Sequence, residues 1–355
     1  MSSDARLTRE QFLSQLERAV PALEGLPVSQ GLIRHLRASL SSGEPTWWKA
    51  ARKAWARRTF GAWTEAWTLF LAAVHYDALG DPKCPMRAYF PSCGGTAEAD
   101  PGPAFARYLE EPPEAMLERL SAGQVRPYVP ARATLWLPAA ASCFQRRGLP
   151  YYVVEVNAGG GLNLAADVLR PRRGFDAELV AARIGLDPAP LDVELPDARR
   201  WLAAAQLPEE VAELKELGDA METVRQRQRS EPNFIQLVPC FTELAPAFMA
   251  KNIPADEPDV GLLVFNMGAT VRLSDEDYKA FHSDMAEALK PWGSRALWLE
   301  VEKQRGDPYS TKYQAVLHKP SPAGFDDFIM LRFDVAARKL DIDADAAHKF
   351  LTERR

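Results

Sequence analysis

The residues best suited to chemistry lie in the stretch "YYVVEVNAGGGLNL", residues 151–164. Apolar, β-forming residues lead to an acid, Glu155, and then to a loop with three consecutive glycines at 159–161. Glycine has no Cβ atom, so main-chain N–H groups in such a loop can come close to a ligand. In open α/β sheets, ligands bind beyond the carboxyl ends of the strands, often at the first turn between strand and helix. The stretch therefore predicts a site for a cofactor that contains a nucleoside.

The spacing of the glycines separates two cofactor classes. Dinucleotide loops follow G-x-G-x-x-G or A, but the sixth position counted from Gly159 is Leu164, which is too large for the helix–strand packing of that motif. A nicotinamide oxidoreductase is therefore the third alternative. The pattern acid-x-G-x-G-x-G is typical of S-adenosylmethionine-dependent methyltransferases. Residues 155–161 resemble it, with Asn157 in place of the first glycine, and Asn tolerates left-handed backbone better than most residues other than Gly.

A second acid strengthens the prediction of a nucleoside site. Asp187 follows a short apolar run in "AARIGLDPAPLDV", where a second strand should end. An acid at that point can accept hydrogen bonds from both ribose hydroxyls. The alternative is that Asp187 only caps a turn before Pro188. The predicted cofactor-binding residues are Glu155, Asn157, Gly159, Gly161, Asn163 and Asp187.

The sequence offers weaker candidates for substrate contact. Asn266 follows a fourth predicted strand and could touch a methyl acceptor or form only strand-end hydrogen bonds. Glu300 and Glu302 alternate on one strand face, so Glu300 points either into a cleft or to solvent. His75 and Tyr76 end an aromatic helix, where they line a lid or simply pack.

Composition and spacing argue against several functions. The net charge of −5 gives no electrostatic reason to bind nucleic acid or an anionic membrane. The N-terminus carries both signs of charge and no apolar run, so it predicts neither a signal peptide nor a membrane span. The four cysteines are scattered without a C-x-x-C pair, which favours reduced thiols and a cytoplasmic location. The five histidines are far apart without H-x-x-x-H spacing, so no metal site is predicted.

The chain has two parts with different patterns of apolar residues, and these parts must position the candidate residues. Residues 1–125 predict a helical N-terminal cap region; its first helix is capped by Thr8, and an aromatic stripe runs through 46–80. Residues 126–355 predict an α/β domain, because short apolar runs alternate with amphipathic ones. The predicted fold is a doubly wound, mainly parallel, Rossmann-like sheet of the methyltransferase type. Its predicted strands are "YYVVEV", "ELVAARIGLD", "FIQLVPCF", "VGLLVFNMG", "ALWLEVE" and "DFIMLRFDV".

Four segments together resemble one family of uncharacterised bacterial proteins, domain of unknown function 2332. They are "LAAVHY" at 71–76, "YFPS" at 89–92, "EVNAGGGLNL" at 155–164 and "GLDPAPLDVELPDARRWL" at 185–202. The resemblance spans nearly the whole chain and implies a methyltransferase-like α/β domain preceded by helices. Three departures stand out: Asn157 replaces a glycine, "PARATLWLP" replaces a T-N-E-V segment, and Asn266 stands where a His is expected.

Two hypotheses for function follow. The first is a methyltransferase-like protein that binds S-adenosylmethionine and acts on a small-molecule or peptidic acceptor. The second is a non-catalytic protein that keeps the fold as a binding or accessory module, in a secondary-metabolite or peptide-modification pathway. Either could form a homo-oligomer or bind a pathway partner. The departures at Asn157 and in the T-N-E-V segment favour the second hypothesis.

Overall fold

The structure is a computed structural model that describes residues 7–306, 309–334 and 339–342. The chain forms two compact units. The first contains the chain up to Tyr128 together with the segment Glu194–Asp219, and the second contains Val129–Val193 and the chain from Ala220 onward. The sequence predicted a single boundary after residue 125, whereas the first unit also includes a segment from the middle of the chain.

The α-helices of the described residues are numbered in chain order. They are α1 (Arg9–Ala22), α2 (Pro27–Ser41), α3 (Thr46–Ala54), α4 (Glu65–Gly80), α5 (Gly102–Glu110), α6 (Glu114–Ala122), α7 (Pro130–Ala133), α8 (Trp136–Cys143), α9 (Ala166–Leu169), α10 (Pro196–Ala204), α11 (Val211–Ser230), α12 (Ala245–Asn252) and α13 (Asp275–Leu289).

The β-strands are numbered in the same way. They are β1 (Tyr151–Val156), β2 (Val180–Asp187), β3 (Gln236–Pro239), β4 (Gly261–Met267), β5 (Ala296–Lys303), β6 (Lys312–Ser321), β7 (Gly324–Asp334) and β8 (Lys339–Ile342).

The first helix starts at the predicted cap. The Thr8 hydroxyl accepts the main-chain N–H of Gln11 at 3.2 Å, and the Gln11 side chain accepts the N–H of Thr8 at 2.9 Å. These reciprocal bonds form a capping box, which satisfies N–H groups that have no partner inside the helix.

The aromatic stripe forms a core inside the first unit, but not on one continuous helix. Phe12 stacks on Trp48 with ring centroids 5.4 Å apart, and Trp55 meets Phe12 edge-on at 5.5 Å. Between α3 and α4 the chain leaves the helical path, and the Glu65 carboxylate accepts the N–H of Gly61 at 2.7 Å. The stripe is therefore divided between α3 and α4, because glycine is a poor helix former and here a side chain accepts its N–H.

Helix α10 belongs to the first unit, which contains α1 to α6 and is the helical unit of the chain. The sequence placed this helix in the α/β domain. It packs on α4, where the rings of Trp201 and Tyr76 lie 5.8 Å apart. The Trp201 indole N–H donates to the carbonyl of Gln124 at 3.0 Å. A helix that follows a strand can cover the sheet or leave it, and the apolar pattern alone does not distinguish the two.

The second unit contains a mixed sheet. Within the described residues it has eight strands in the order β3-β2-β1-β4-β5-β6-β7-β8. The five strands from β3 to β5 are mutually parallel, and β5 to β8 pair antiparallel. The prediction of a mostly parallel α/β fold is confirmed, and β1 to β5 lie where the sequence placed them.

The antiparallel edge was not predicted. The sequence indicated β7 but missed β6, its partner. Ser321 pairs with Gly324, so only two residues join the strands. Such a short connection can join only antiparallel strands, because a parallel pair needs a crossover of a dozen or more residues.

Helices cover both faces of the parallel strands. On one face, α12 and α13 enclose a core that includes Val154, Val264, Phe281, Met285 and Trp298. On the other, Trp136 of α8 stacks on Phe265 of β4 at 6.2 Å. Burial on both faces explains why these strands are near-continuous apolar runs.

No helix in the part of the chain that the structure describes is long and apolar enough to cross a membrane. All four cysteines lie in the described residues, and none of them forms a disulfide.

Candidate functional site

The carboxyl ends of β1, β2, β4 and β5 meet at one edge of the sheet. The chain runs from β1 outward to β2 and β3, and then returns to β4 on the other side of β1. The strand order therefore reverses between β1 and β4, which is the position where open α/β sheets bind ligands. The predicted glycine loop follows β1 at this point.

The loop uses left-handed backbone at alternate positions. Asn157, Gly159 and Gly161 have φ values of 70°, 57° and 72°. Asn and Gly adopt this conformation at low cost, which explains why these types stand there. The α-helix that follows, α9, has only four residues. The dipole of so short a helix is small, so ligand contacts must come from the loop itself.

Asp187 holds the loop from the end of β2. The side chain is fully buried; Oδ2 accepts the N–H of Gly159 at 2.7 Å and Oδ1 accepts the N–H of Ala189 at 2.8 Å. The Gly159 carbonyl in turn accepts the N–H of Leu191 at 3.0 Å. A ribose contact needs an accessible carboxylate, whereas this one is enclosed and orders the main chain. The turn-capping alternative matches its observed contacts.

Glu155 and Asn163 connect the strand to the far end of the loop. The Asn163 amide donates to Glu155 Oε1 at 2.6 Å, and the Trp136 indole N–H donates to the Asn163 carbonyl at 2.8 Å. Glu155 is buried. Through the contact with Asn163, Glu155 orients the far end of the loop.

Asn266 has the strand-end role rather than an open position for substrate. It is fully buried; its Oδ1 accepts the Trp298 indole N–H at 2.6 Å, and its Nδ2 donates to Glu302 Oε1 at 2.6 Å. Both ends of the amide have a protein partner, which matches the strand-end alternative.

Glu300 and Glu302 form a buried acid pair on β5, so Glu300 does not lie at a solvated edge, which was one of its two alternatives. Glu302 Oε1 also accepts the main-chain N–H groups of Ala269 at 2.7 Å and Thr270 at 3.1 Å. Glu300 Oε2 accepts the Tyr278 hydroxyl at 2.8 Å. Burial, together with the nearby Glu300, raises the pKa of Glu302.

A cluster of His282, His318 and Asp327 lies beside this acid pair. His318 Nδ1 is 2.7 Å from Asp327 Oδ1, and His318 Nε2 is 3.6 Å from Glu300 Oε2. One potential metal-ligand atom from each of the three residues lies within 4.8 Å of the others. The prediction of no metal site relied on separation in sequence, but α13, β6 and β7 bring these side chains together. Because β6 was not predicted from the sequence, His318 was not placed near the other two residues. The sequence signal that could have indicated a polar face was the alternation of Trp298, Glu300 and Glu302 along β5.

His75 and Tyr76 lie in the helical unit and have packing roles. His75 is buried between the carbonyl of Gln206, 2.9 Å from Nδ1, and the Ser92 hydroxyl, 2.8 Å from Nε2. Burial lowers the pKa of His75 to about 4. The Tyr76 ring is flanked by the guanidinium groups of Arg119 and Arg200, each 4.2 Å from its centroid.

Several of the motif segments meet within a unit. His75 of "LAAVHY" contacts Ser92 of "YFPS", and the Tyr76 hydroxyl donates to the Asp197 carboxylate in "GLDPAPLDVELPDARRWL". In the second unit, Asp187 contacts Gly159. The motifs thus mark tertiary contacts rather than isolated turns.

A family profile described as "Uncharacterized protein conserved in bacteria (DUF2332)" matches residues 22–173 and 168–324. No curated protein and no solved structure matches the chain. Because the profile covers most of the sequence, the chain belongs to the DUF2332 family of uncharacterised proteins conserved in bacteria.

Proposed function

We propose that the second unit is a Rossmann-like, methyltransferase-type domain that binds S-adenosylmethionine or its demethylated product. The observation that carries the proposal is the place of the glycine loop. It follows β1 at the carboxyl edge, beside the reversal of strand order, and an acid at the end of β2 holds it. This combination is typical of folds that bind a nucleoside.

The loop residues differ in how they would contribute. Between residues 157 and 164, Asn157 and Asn163 are the partly exposed positions, and the others are buried. Their amides would meet the adenosyl group, while Gly159 and Gly161 let the backbone turn beneath it. Glu155 would keep Asn163 in place. Asp187 would act through the loop, and a ribose contact would require it to exchange a main-chain partner for a hydroxyl.

Methyl transfer places few demands on the protein. The sulfonium carries the reactivity, so the protein mainly aligns donor and acceptor and excludes water. The absence of a predicted catalytic dyad is compatible with this chemistry. The acceptor would be a small molecule or a peptide, and the setting would be the cytoplasm.

A second candidate is a non-catalytic member that keeps the fold as a binding or accessory module. The enclosed Asp187 carboxylate favours it, since both oxygens already serve the protein. Such a protein would act through a partner protein or a second copy of itself.

Calorimetric titration with S-adenosylmethionine and S-adenosylhomocysteine separates the two candidates. The wild type should bind both with micromolar affinity, and Asn163→Ala should weaken binding about tenfold, which corresponds to one lost hydrogen bond. Asn252→Ala is the matched control, because this exposed amide donates to the carbonyl of Phe248 within its own helix, α12. If the folded wild type gives no heat and no melting shift, the methyltransferase proposal fails and the accessory role stands.

A further inference from the structure

The cluster of His282, His318 and Asp327 has the composition of a transition-metal site. His318 of β6 and Asp327 of β7 are directly paired across the hairpin, and His282 projects from α13. The His282 and His318 rings are 5.3 Å apart and nearly perpendicular, at 83°. Paired strands fix two of the three side chains relative to each other, so the cluster does not depend on a mobile loop.

The chemistry of the donors selects the class of ion. Two imidazoles and one carboxylate suit Zn²⁺, Co²⁺, Ni²⁺ or Fe²⁺, whereas Ca²⁺ and Mg²⁺ prefer sets made entirely of oxygen. Three protein ligands leave at least one coordination position for water or a substrate.

A second observation concerns the other ring nitrogen of His318, which faces a buried carboxylate. His318 is 3% exposed, and its Nε2 has no hydrogen-bond partner among the described residues. A buried imidazole nitrogen without a hydrogen-bond partner needs an explanation. A ring held by an ion at its other nitrogen would supply one. Glu300 Oε2 lies 3.6 Å from this nitrogen, beyond hydrogen-bond range, and is itself anchored by Tyr278.

We propose that His282, His318 and Asp327 bind one divalent transition-metal ion, with Glu300 as the outer carboxylate that orients His318. In the simplest arrangement the ion replaces the proton between His318 Nδ1 and Asp327 Oδ1. The Nε2–H then faces Glu300, which makes a carboxylate–histidine–metal series.

Binding of the ion would require the ligand atoms to adjust their separations. Ligand atoms of a tetrahedral zinc ion are about 3.3 Å apart, given bonds of about 2.0 Å. The 2.7 Å contact would open and the separations of up to 4.8 Å would shorten. Trp298 stacks on His318 at 4.2 Å, and Phe325 lies 5.2 Å from the ring of His282. These rings hold the imidazoles in place, and Asp327, with 52% of its side chain exposed, gives the ion a route from solvent.

The test is metal titration of the full chain after dialysis against a chelator. Co²⁺ binding is followed by visible absorption, Zn²⁺ binding by calorimetry, and Mg²⁺ serves as the oxygen-preferring comparison. We expect one Co²⁺ per chain, with visible bands of a four- or five-coordinate site, and no competition from Mg²⁺.

Matched variants locate the ion. Asp327→Asn and His282→Gln should each weaken Zn²⁺ binding by at least about tenfold. Two variants serve as controls. Asp326→Asn changes the same residue type one position earlier on β7, where the side chain points to the other face of the sheet. His35→Gln changes a histidine of the helical unit. Both should bind Zn²⁺ like the wild type.

The outcomes are decisive because the test variants alter partly exposed residues and can be compared with the wild type by melting in chelator. Loss of binding in both test variants, with unchanged melting, supports the site. Absence of Co²⁺ and Zn²⁺ binding by the wild type overturns it. Equal binding by the wild type and the test variants also overturns it, since the ion would then lie elsewhere.

Discussion

The carboxylate of Asp187 accepts the main-chain N–H of Gly159 at 2.7 Å, across 28 positions of sequence. This one bond joins the end of β2 to the loop after β1, and thereby links the two sequence features that predicted a nucleoside site. It also changes the role of the acid. Asp187 shapes the loop from inside, so its effect on a cofactor is transmitted through the main chain.

Replacing Asp187 should destabilise the loop. In Asp187→Asn, one of the two N–H groups would face an amide NH₂ instead of an oxygen, so we expect a loss of about 1–3 kcal/mol in the free energy of unfolding. Urea denaturation measures this loss. The control is Asp176→Asn, an exposed turn residue whose carboxylate accepts a local N–H, from Glu178. Equal losses in both variants would contradict the anchoring role.

The backbone at residue 157 gives a second prediction. Because φ is 70°, Asn157→Gly should be neutral or slightly stabilising, whereas Asn157→Ala should cost about 1–2 kcal/mol. Asn233, with a φ of 75°, is the control for backbone strain, and the same pair of changes there should give similar stability effects. Only the Asn157 variants should alter the affinity for S-adenosylmethionine in calorimetry. If Asn157→Ala unfolds like the wild type, the loop does not hold this conformation.

The pH dependence of the helical unit should depend on His75. Its pKa is lowered by burial from 6.5 to about 4, so between these values the unfolded chain binds more protons than the folded one. Stability is therefore complete above about pH 6.5 and falls as the pH drops toward 4. Between pH 7 and pH 4.5, His75 should account for a loss of about 2 kcal/mol.

The measurement compares wild type with His75→Asn, using urea denaturation at several pH values. Other titrating groups are common to both proteins, so the difference between their pH slopes isolates His75. The variant should have lower stability at pH 7 and a flatter slope below pH 6.5. Parallel slopes would show that His75 has the same pKa in the folded and unfolded states.

Asn266 and Trp298 should be energetically coupled. Removing either leaves the other with a buried polar atom without its partner, so the double-mutant cycle of Asn266→Ala and Trp298→Phe should give a coupling of about 1 kcal/mol. A cycle with Trp292→Phe is the control. Trp292 is buried in the same core as Trp298, and among the described residues its indole forms no hydrogen bond to Asn266. Equal coupling in the two cycles would argue against a direct bond.

The local elements followed from the sequence because their signals are local. Near-continuous apolar runs marked β1 to β5, Thr8 marked the first helix, and Asn157 with the glycines marked a left-handed loop. Each depends on the side chain and backbone preference of a few neighbouring residues. The family membership was likewise readable from short motifs.

Tertiary structure decided which side chains meet and how far they are enclosed. It placed α10 in the helical unit, added the antiparallel hairpin of β6 and β7, and enclosed Asp187. It also brought His282 to His318 and Asp327 from separate elements. The burial of a side chain and its partners depend on which distant segments pair, and a periodic pattern does not specify the segment that lies opposite. The loop could therefore be predicted from the sequence, but the His–Asp cluster could not.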